Sequence, residues 1–433
     1  MFSNQVSAIY HSQSDQPNPP QTTNSQSETR CEYCRRKWKK ILLTSLTTAL
    51  MMTICVIVAI IMAKKHSDRL VTVARRRTTT TSVTTTTATT TITTTMFTKG
   101  WTTAAKLNIN RYRHTATVLQ NGKVLITGGY NYKGALRECE LYDPSRDQWT
   151  LIANMSVARQ DHTASLLTNG LVLVTGGNNS DIALSNALLY DVSANTWTNT
   201  RNMIHQRSQH TATVLENGKV LVVGGWKKGK PSLETTELYD PQTGVWTVTQ
   251  NMNCRRFYHR ASLLTNGKVL ITGGLGLCSI GVSSKTSELY NPIRNAWIRT
   301  NDMNVDRQGH TVTVLNDGKV LVTGGRNSED IVRKSAELFD VSTNQWTITG
   351  NMNTPRYDHS AVLLPNGTVL VTGGSSDSLL SSAELYDPST GVWAITRNMR
   401  SARSHHTTSL LSDGKIFIFG GTYSDPEKFS EIY

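Results

Sequence analysis

The side chains best suited to chemistry in this 433-residue sequence fall on a fixed ruler. Seven Arg-x-x-His motifs place Arg111, Arg159, Arg207, Arg256, Arg307, Arg356 and Arg403 three residues ahead of His114, His162, His210, His259, His310, His359 and His406. Guanidinium forks gathered near one point could grip an anion, because Arg binds carboxylates in a bidentate manner. A residue present in every unit more simply solves a problem that every unit has. Glu140, Glu237, Glu288, Glu337, Glu384 and Glu431 recur in six of the seven units, so an Arg–Glu pairing within or between units is expected. Departures from the repeat are the better binding candidates. The residue before each His alternates away from it along a strand and is expected to face an axis. Those positions hold Arg113, Asp161, Gln209, Tyr258, Gly309, Asp358 and His405, a polar set suited to hydrogen-bonding a partner. Loops after the Gly-Gly pairs add Tyr130, Tyr132, Trp226, Lys227, Lys228 and Arg326. Aromatic and Arg side chains are the usual anchors of interfaces. The sequence has no nucleophile elbow, no His-Glu-x-x-His and no phosphate loop, so neither catalysis nor a cofactor is expected.

The elements that must position these residues follow from the spacing. Each His is followed 14 residues later by Gly-Gly, then by Tyr142, Tyr190, Tyr239, Tyr290, Phe339, Tyr386 or Tyr433. Trp149, Trp197, Trp246, Trp297, Trp346 and Trp393 lie 7 residues beyond the aromatic and 13 before the next His. Only the stretch from Gly-Gly to the aromatic varies, from 13 to 17 residues. Asn-Gly or Asp-Gly separates the first two apolar runs of every unit, which predicts a two-residue hairpin turn with positive φ. Runs of Val, Ile, Leu and Thr predict strands, four to a unit. A lone four-stranded sheet cannot bury both its faces, so the units must pack around an axis with Trp and Tyr in the gaps. The last unit reaches only Tyr433, and the unmatched Trp101 lies 13 residues before His114. The fold expected is therefore all-β: a seven-bladed propeller over 101–433, closed by its own N-terminal strand.

The double Gly, the Glu-Leu-Tyr-Asp-Pro element and the spaced Trp resemble the kelch-repeat β-propeller family, also represented by the propeller of galactose oxidase. The resemblance implies the fold strongly and the function weakly, since propellers host binding, scaffolding and catalysis alike. Arg256-Phe257-Tyr258-His259 also looks like the Tyr-His copper-ligand segment of galactose oxidase, and such donors suit Cu(II). That site needs a second His from a following domain and a Tyr cross-linked to Cys, neither of which the sequence up to Tyr433 supplies.

Ahead of the propeller the composition changes. Residues 1–40 read as a polar, disordered tail ending in a basic segment, and 41–63 form 23 residues without a charge, enough to cross a bilayer. Residues 64–100 form a basic and Thr-rich stalk, with 14 Thr between 78 and 95. The net charge of +14 is concentrated here, with 12 Lys and Arg against 4 Asp and Glu in residues 1–95. Basic residues are tied at six on each side of the span, but five of the six positions just before it are basic. That bias and the glycan-friendly Thr tract predict a signal-anchored type II membrane protein with a lumenal or extracellular propeller. Three sequons fit such exposure: Asn154, Asn178 and Asn366. Among the cysteines, Cys31 and Cys34 suit juxtamembrane palmitoylation, Cys55 lies in the span, and Cys139 is expected buried and unpaired. Reflection through the Asn266-Gly267 turn brings Cys254 opposite Cys278, so a disulfide between them is expected. The function expected is non-catalytic recognition of a protein or a glycan through the variable-loop face, with no nucleic acid as partner. The alternatives are a copper-radical oxidase and, with inverted orientation, a membrane-tethered cytosolic kelch scaffold.

Overall fold

The computed structural model describes residues 100–180, 182–229, 232–276, 284–421 and 430–433. The predicted tail and span, all of the stalk but Gly100, and Cys31, Cys34, Cys55 and Cys278 lie outside the described residues. Among the described residues no helix is long and apolar enough to cross a membrane.

β-branched residues give short strands, and these form seven antiparallel four-stranded sheets. Blade 1 consists of Thr115–Val118, Val124–Thr127, Cys139–Asp143 and Gln148–Ile152, from inside to outside. Blades 2 to 6 repeat that order, with innermost strands beginning at Thr163, Thr211, Arg260, Thr311 and Ser360. Blade 7 joins Thr407–Leu410, Ile416–Phe419 and Ser430–Ile432 to Thr102–Ala104 as its outermost strand. Thr102 lies opposite Ile432 and Ala104 opposite Ser430. Innermost strands of neighbouring blades touch all the way round, blade 7 against blade 1 included. The ring is thus closed by the strand that the Trp101 spacing predicts.

Packing explains the repeat. The second strand of each blade, such as Val124–Thr127 or Val220–Val223, is buried along its whole length, as in a sheet covered on both faces. Apolar clusters cross the blade boundaries, with Leu119 and Leu125 of blade 1 against Val172 and Val174 of blade 2. In each blade the outer Trp stacks on the third-strand aromatic, with centroids 4.8 to 5.1 Å apart. Each Trp also donates its indole N–H back to the chain leaving the previous blade: Trp149 to Ala105, Trp246 to Arg201, and Trp101 to Arg397 at 2.7 Å.

The inner hairpins depart from expectation. Their loops hold three residues, with Gly122 N donating to Leu119 O and Leu119 N to Lys123 O. Only the Gly takes positive φ, at 77° for Gly122. The preceding Asn or Asp keeps negative φ and accepts the amide two residues on, as Asn121 Oδ1 does from Lys123 N at 3.1 Å. This is a type I turn followed by a left-handed Gly, and it repeats in all seven blades.

Candidate functional site

The site is the axial channel, and a set of buried staples holds its walls. Each repeat Arg pairs with the Glu of its own blade in six cases, from Arg207–Glu237 at 2.6 Å to Arg111–Glu140 at 2.9 Å. The other guanidinium nitrogen donates to the first carbonyl of Gly-Gly, as Arg111 Nη1 does to Gly128 O at 2.7 Å. The Glu in turn accepts two amides of the connection that enters the innermost strand, Asn108 N and Ile109 N for Glu140. The seven Arg are therefore spent on structure. Blade 2 differs, with Leu188 in the Glu position and Arg159 Nη2 bonded to Asn186 Oδ1. Burial holds Arg159 down to about 10.

The repeat His joins blades. His162 Nε2 lies 3.0 Å from Thr115 Oγ1 and 2.9 Å from Thr127 Oγ1 of blade 1, and His114 reaches Thr407 of blade 7. Burial, helped by the adjacent Arg, lowers His114 to about 3 and keeps the other six far below the usual histidine range. These imidazoles stay neutral. Gly128 is required because a Cβ there would sit 2.5 Å from the Arg159 carbonyl and 2.9 Å from the His162 ring.

The residues just before each His form a ring at the channel. Arg113, Asp161, Gln209, Tyr258, Gly309, Asp358 and His405 all take φ between 50° and 61°. Amides of Asp161, Gln209 and Tyr258 donate to Arg113, Asp161 and Gln209 in turn, as Asp358 does to Gly309 and His405 to Asp358. Left-handed backbone costs a non-Gly residue on the order of 1–3 kcal/mol. Only one of the seven positions has taken the glycine that removes this cost. The six side chains line a cavity of about 260 Å³. Arg113 meets Asp161 at 3.5 Å, Gln209 donates to Tyr258 Oη at 2.8 Å, and His405 lies 3.3 Å from Asp358. Burial raises the Asp161 carboxyl against the pull of Arg113 and Gln209, and it raises Tyr258 to about 12. Burial also lowers His405, opposed by Asp358.

Arg260 belongs to the same cavity, and the sequence reading missed it. The position after the repeat His is Thr115, Thr163, Thr211, Thr311, Ser360 or Thr407 in the other blades. That exchange of a small hydroxyl residue for Arg was the available signal.

None of the loop candidates lines that cavity itself, but Arg326 shares an adjoining pocket with Arg113, Tyr258, Asp358 and His405. Tyr130 packs on Tyr112 with centroids 5.6 Å apart, and Tyr132 projects from a small hairpin at 86 % exposure. Trp226 and Lys227 are half-buried and Lys228 is exposed. Arg326 stacks on Tyr357 at 4.5 Å and pairs with Asp330 at 2.8 Å. With Gly309 it lines a side pocket of about 110 Å³.

Other candidates separate. Tyr258 and His259 do not converge: Tyr258 faces the channel, whereas His259 is buried with Nε2 on Thr211 Oγ1 at 2.9 Å. This pair does not fit a copper site. Among the described residues no group of three or more His, Cys, Asp or Glu could hold a metal ion. Asn154 and Asn366 are exposed. Asn178 is 9 % exposed in a short strand, where its Oδ1 accepts from Gln160 Nε2 at 3.5 Å, a less open position than the other two sequons. Cys254 is buried and disulfide-bonded, while the proposed partner, Cys278, lies outside the described residues. Cys139 is a buried free thiol, raised by burial to about 11.

The sequence matches the KLHDC2/KLHL20/DRC7 Kelch-repeats domain in overlapping segments, 77–274, 162–347 and 309–433. No curated protein matches the chain. Among solved structures it is similar to a novel fungal alcohol oxidase with catalytic diversity among the AA5 family, in complex with copper. That likeness has a TM-score of 0.62 at 19 % identity and covers 77 % of this chain and 76 % of the oxidase chain, so it speaks to fold alone.

Proposed function

Because the chain belongs to the KLHDC2/KLHL20/DRC7 kelch-repeat family, we propose that it is a non-catalytic propeller that binds a protein partner through its variable-loop face. One observation carries the reading. Six side chains are kept at strained positive φ around the channel mouth, while the opposite face repeats one structural turn seven times. Strain concentrated in one ring points to what the side chains touch. Tyr132, Trp226 and Arg326 supply anchors around that mouth.

Residues 41–63 are proposed to anchor the chain in a membrane as a type II protein, with the propeller lumenal or extracellular. Their length and lack of charge support this. The exposed sequons at Asn154 and Asn366 are compatible with that side. Glycosidase treatment should shift the mobility of the full chain, and the shift should shrink in Asn366→Gln. A chain with no glycan and a propeller protected from protease in intact cells would favour a cytosolic, membrane-tethered scaffold.

The binding claim is tested by proximity labelling from the full chain in cells. Tyr132→Ser, Trp226→Ser and Arg326→Ser together should lose the labelled neighbours. Ile293→Ser, at a 96 % exposed position on the opposite face, should keep them. The reverse pattern would place binding on the other face.

A further inference from the structure

Blade 2 buries a cation that no carboxylate meets. In the other six blades the repeat Arg pairs with a Glu, which also accepts two consecutive amides of the entering connection, as Glu337 does from Asn304 N and Val305 N. In blades 1, 4, 5 and 6 a side chain on that connection adds a further donor, from Asn108, Asn253, Asn304 and Asn353. Blade 2 keeps the donors and lacks the acceptor. Leu188 lies opposite Val174 just as Glu237 lies opposite Val222. Arg159 is 0 % exposed, and among the described residues it makes no ion pair. Its bonds to the Gly176 and Asn186 carbonyls and to Asn186 Oδ1 hold the side chain but supply no counter-charge. The entering connection hangs as in blade 3: Met155 N and Arg159 N take Arg137 O and Leu136 O, where Met203 N and Arg207 N take Ser185 O and Leu184 O. Ser156 N and Val157 N therefore hold the places of the two Glu-binding amides, and among the described residues neither has an acceptor. Leu188 cannot serve them. It is one heavy atom shorter than Glu, and it packs in the apolar cluster with Leu125 and Val174.

We infer that blade 2 binds a halide ion, chloride in ordinary solution, where the other blades place their carboxylate. Arg159 Nη2, the amides of Ser156 and Val157 and the Ser156 hydroxyl form the donor set. A single negative charge cancels the single guanidinium, whose burial without one is costly. Size and charge select the halide. Leu188 and Arg159 are at most 1 % exposed, with entry past the exposed Ser156, so an organic acid has no room for its carbon chain. A phosphate dianion would leave an excess negative charge. Arg159 does not line the axial cavity, so the site is separate from the channel and from the loop tips. Loss or retention of a partner does not decide it.

The test uses the full chain and sodium chloride, with sodium gluconate holding the ionic strength constant. The unfolding temperature of wild type should rise with chloride along a one-site curve, since an ion that binds only the folded chain stabilises it by mass action. Asn186→Ser with Leu188→Glu gives blade 2 the Ser-Ala-Glu of blades 5 and 6, so it should fold. Its built-in carboxylate should abolish the chloride-dependent rise, whereas Asn186→Ser alone should keep it. The chloride NMR line supplies a second reading that needs wild type only: the folded chain should broaden it saturably, and bromide should compete the broadening away. A rise absent from wild type or equal in the Glu-bearing variant, or broadening that never saturates, would overturn the assignment.

Discussion

Trp101 and Tyr433 lie 332 positions apart in the sequence, yet their rings pack with centroids 4.8 Å apart and close the seventh blade. Trp101 is only 7 % exposed and occupies in blade 7 the place that Trp393 occupies in blade 6. Trp101→Ala should therefore cost about 3–5 kcal/mol, in the range for a buried Trp. Chemical denaturation of the full chain measures it, and a loss below about 1 kcal/mol would mean that the ring is held shut elsewhere.

The buried Arg–Glu staples predict an asymmetric response. Glu237→Leu copies the residue of blade 2 but leaves Arg207, fully buried at 0 % exposure, without its carboxylate. Breaking such a pair from one side costs about 3–5 kcal/mol. Equilibrium unfolding of the variant should show that loss. A near-neutral result would mean that Thr235 and the Gly224 carbonyl suffice for Arg207, as Asn186 and Gly176 do for Arg159.

Seven neutral histidines make stability fall in mild acid. Their folded pKa values lie below the unfolded value of about 6.5, so below that pH the unfolded chain binds more protons. The stabilisation is complete above about pH 6.5 and is lost as pH falls toward the folded values. Each histidine contributes about 1.4 kcal/mol per pH unit across its window. His210→Gln should reduce the slope of stability against pH by one proton, and an unchanged slope would contradict the assignment.

Blade 5 carries a small defect that a single hydroxyl should repair. Tyr142 and Tyr190 donate to Asp147 and Asn195, but the corresponding aromatic is Phe339 and Asn344 Oδ1 is buried without a partner. Phe339→Tyr should raise stability by about 1 kcal/mol, the net worth of one hydrogen bond. A lower unfolding temperature would show that the pocket has no room for the oxygen.

The ring, its blade count and the structural role of the repeat Arg were legible because each imposes its spacing on all seven units. Residues that act once were harder to read. Arg260 stood out from Thr and Ser but carries no motif, and the Phe339–Asn344 mismatch appears only when the fold brings them together. The turn was misread because Asn-Gly fits two hairpin types, and the extra loop residue is decided by cross-strand register. The left-handed ring was invisible because Arg113, Gln209 and Tyr258 are not residues that favour positive φ. Their conformation is set by the bonds between blades.

The central claim is that those ring side chains are retained for what they contact and not for the fold. Gln209→Gly and Tyr258→Gly, combined in the full chain, relieve left-handed strain and remove two channel-mouth groups while leaving the Arg113–Asp161 and His405–Asp358 pairs in place. The account predicts an unfolding temperature equal to or above wild type together with loss of the proximity-labelled partners. A destabilised protein that keeps every labelled partner would contradict it.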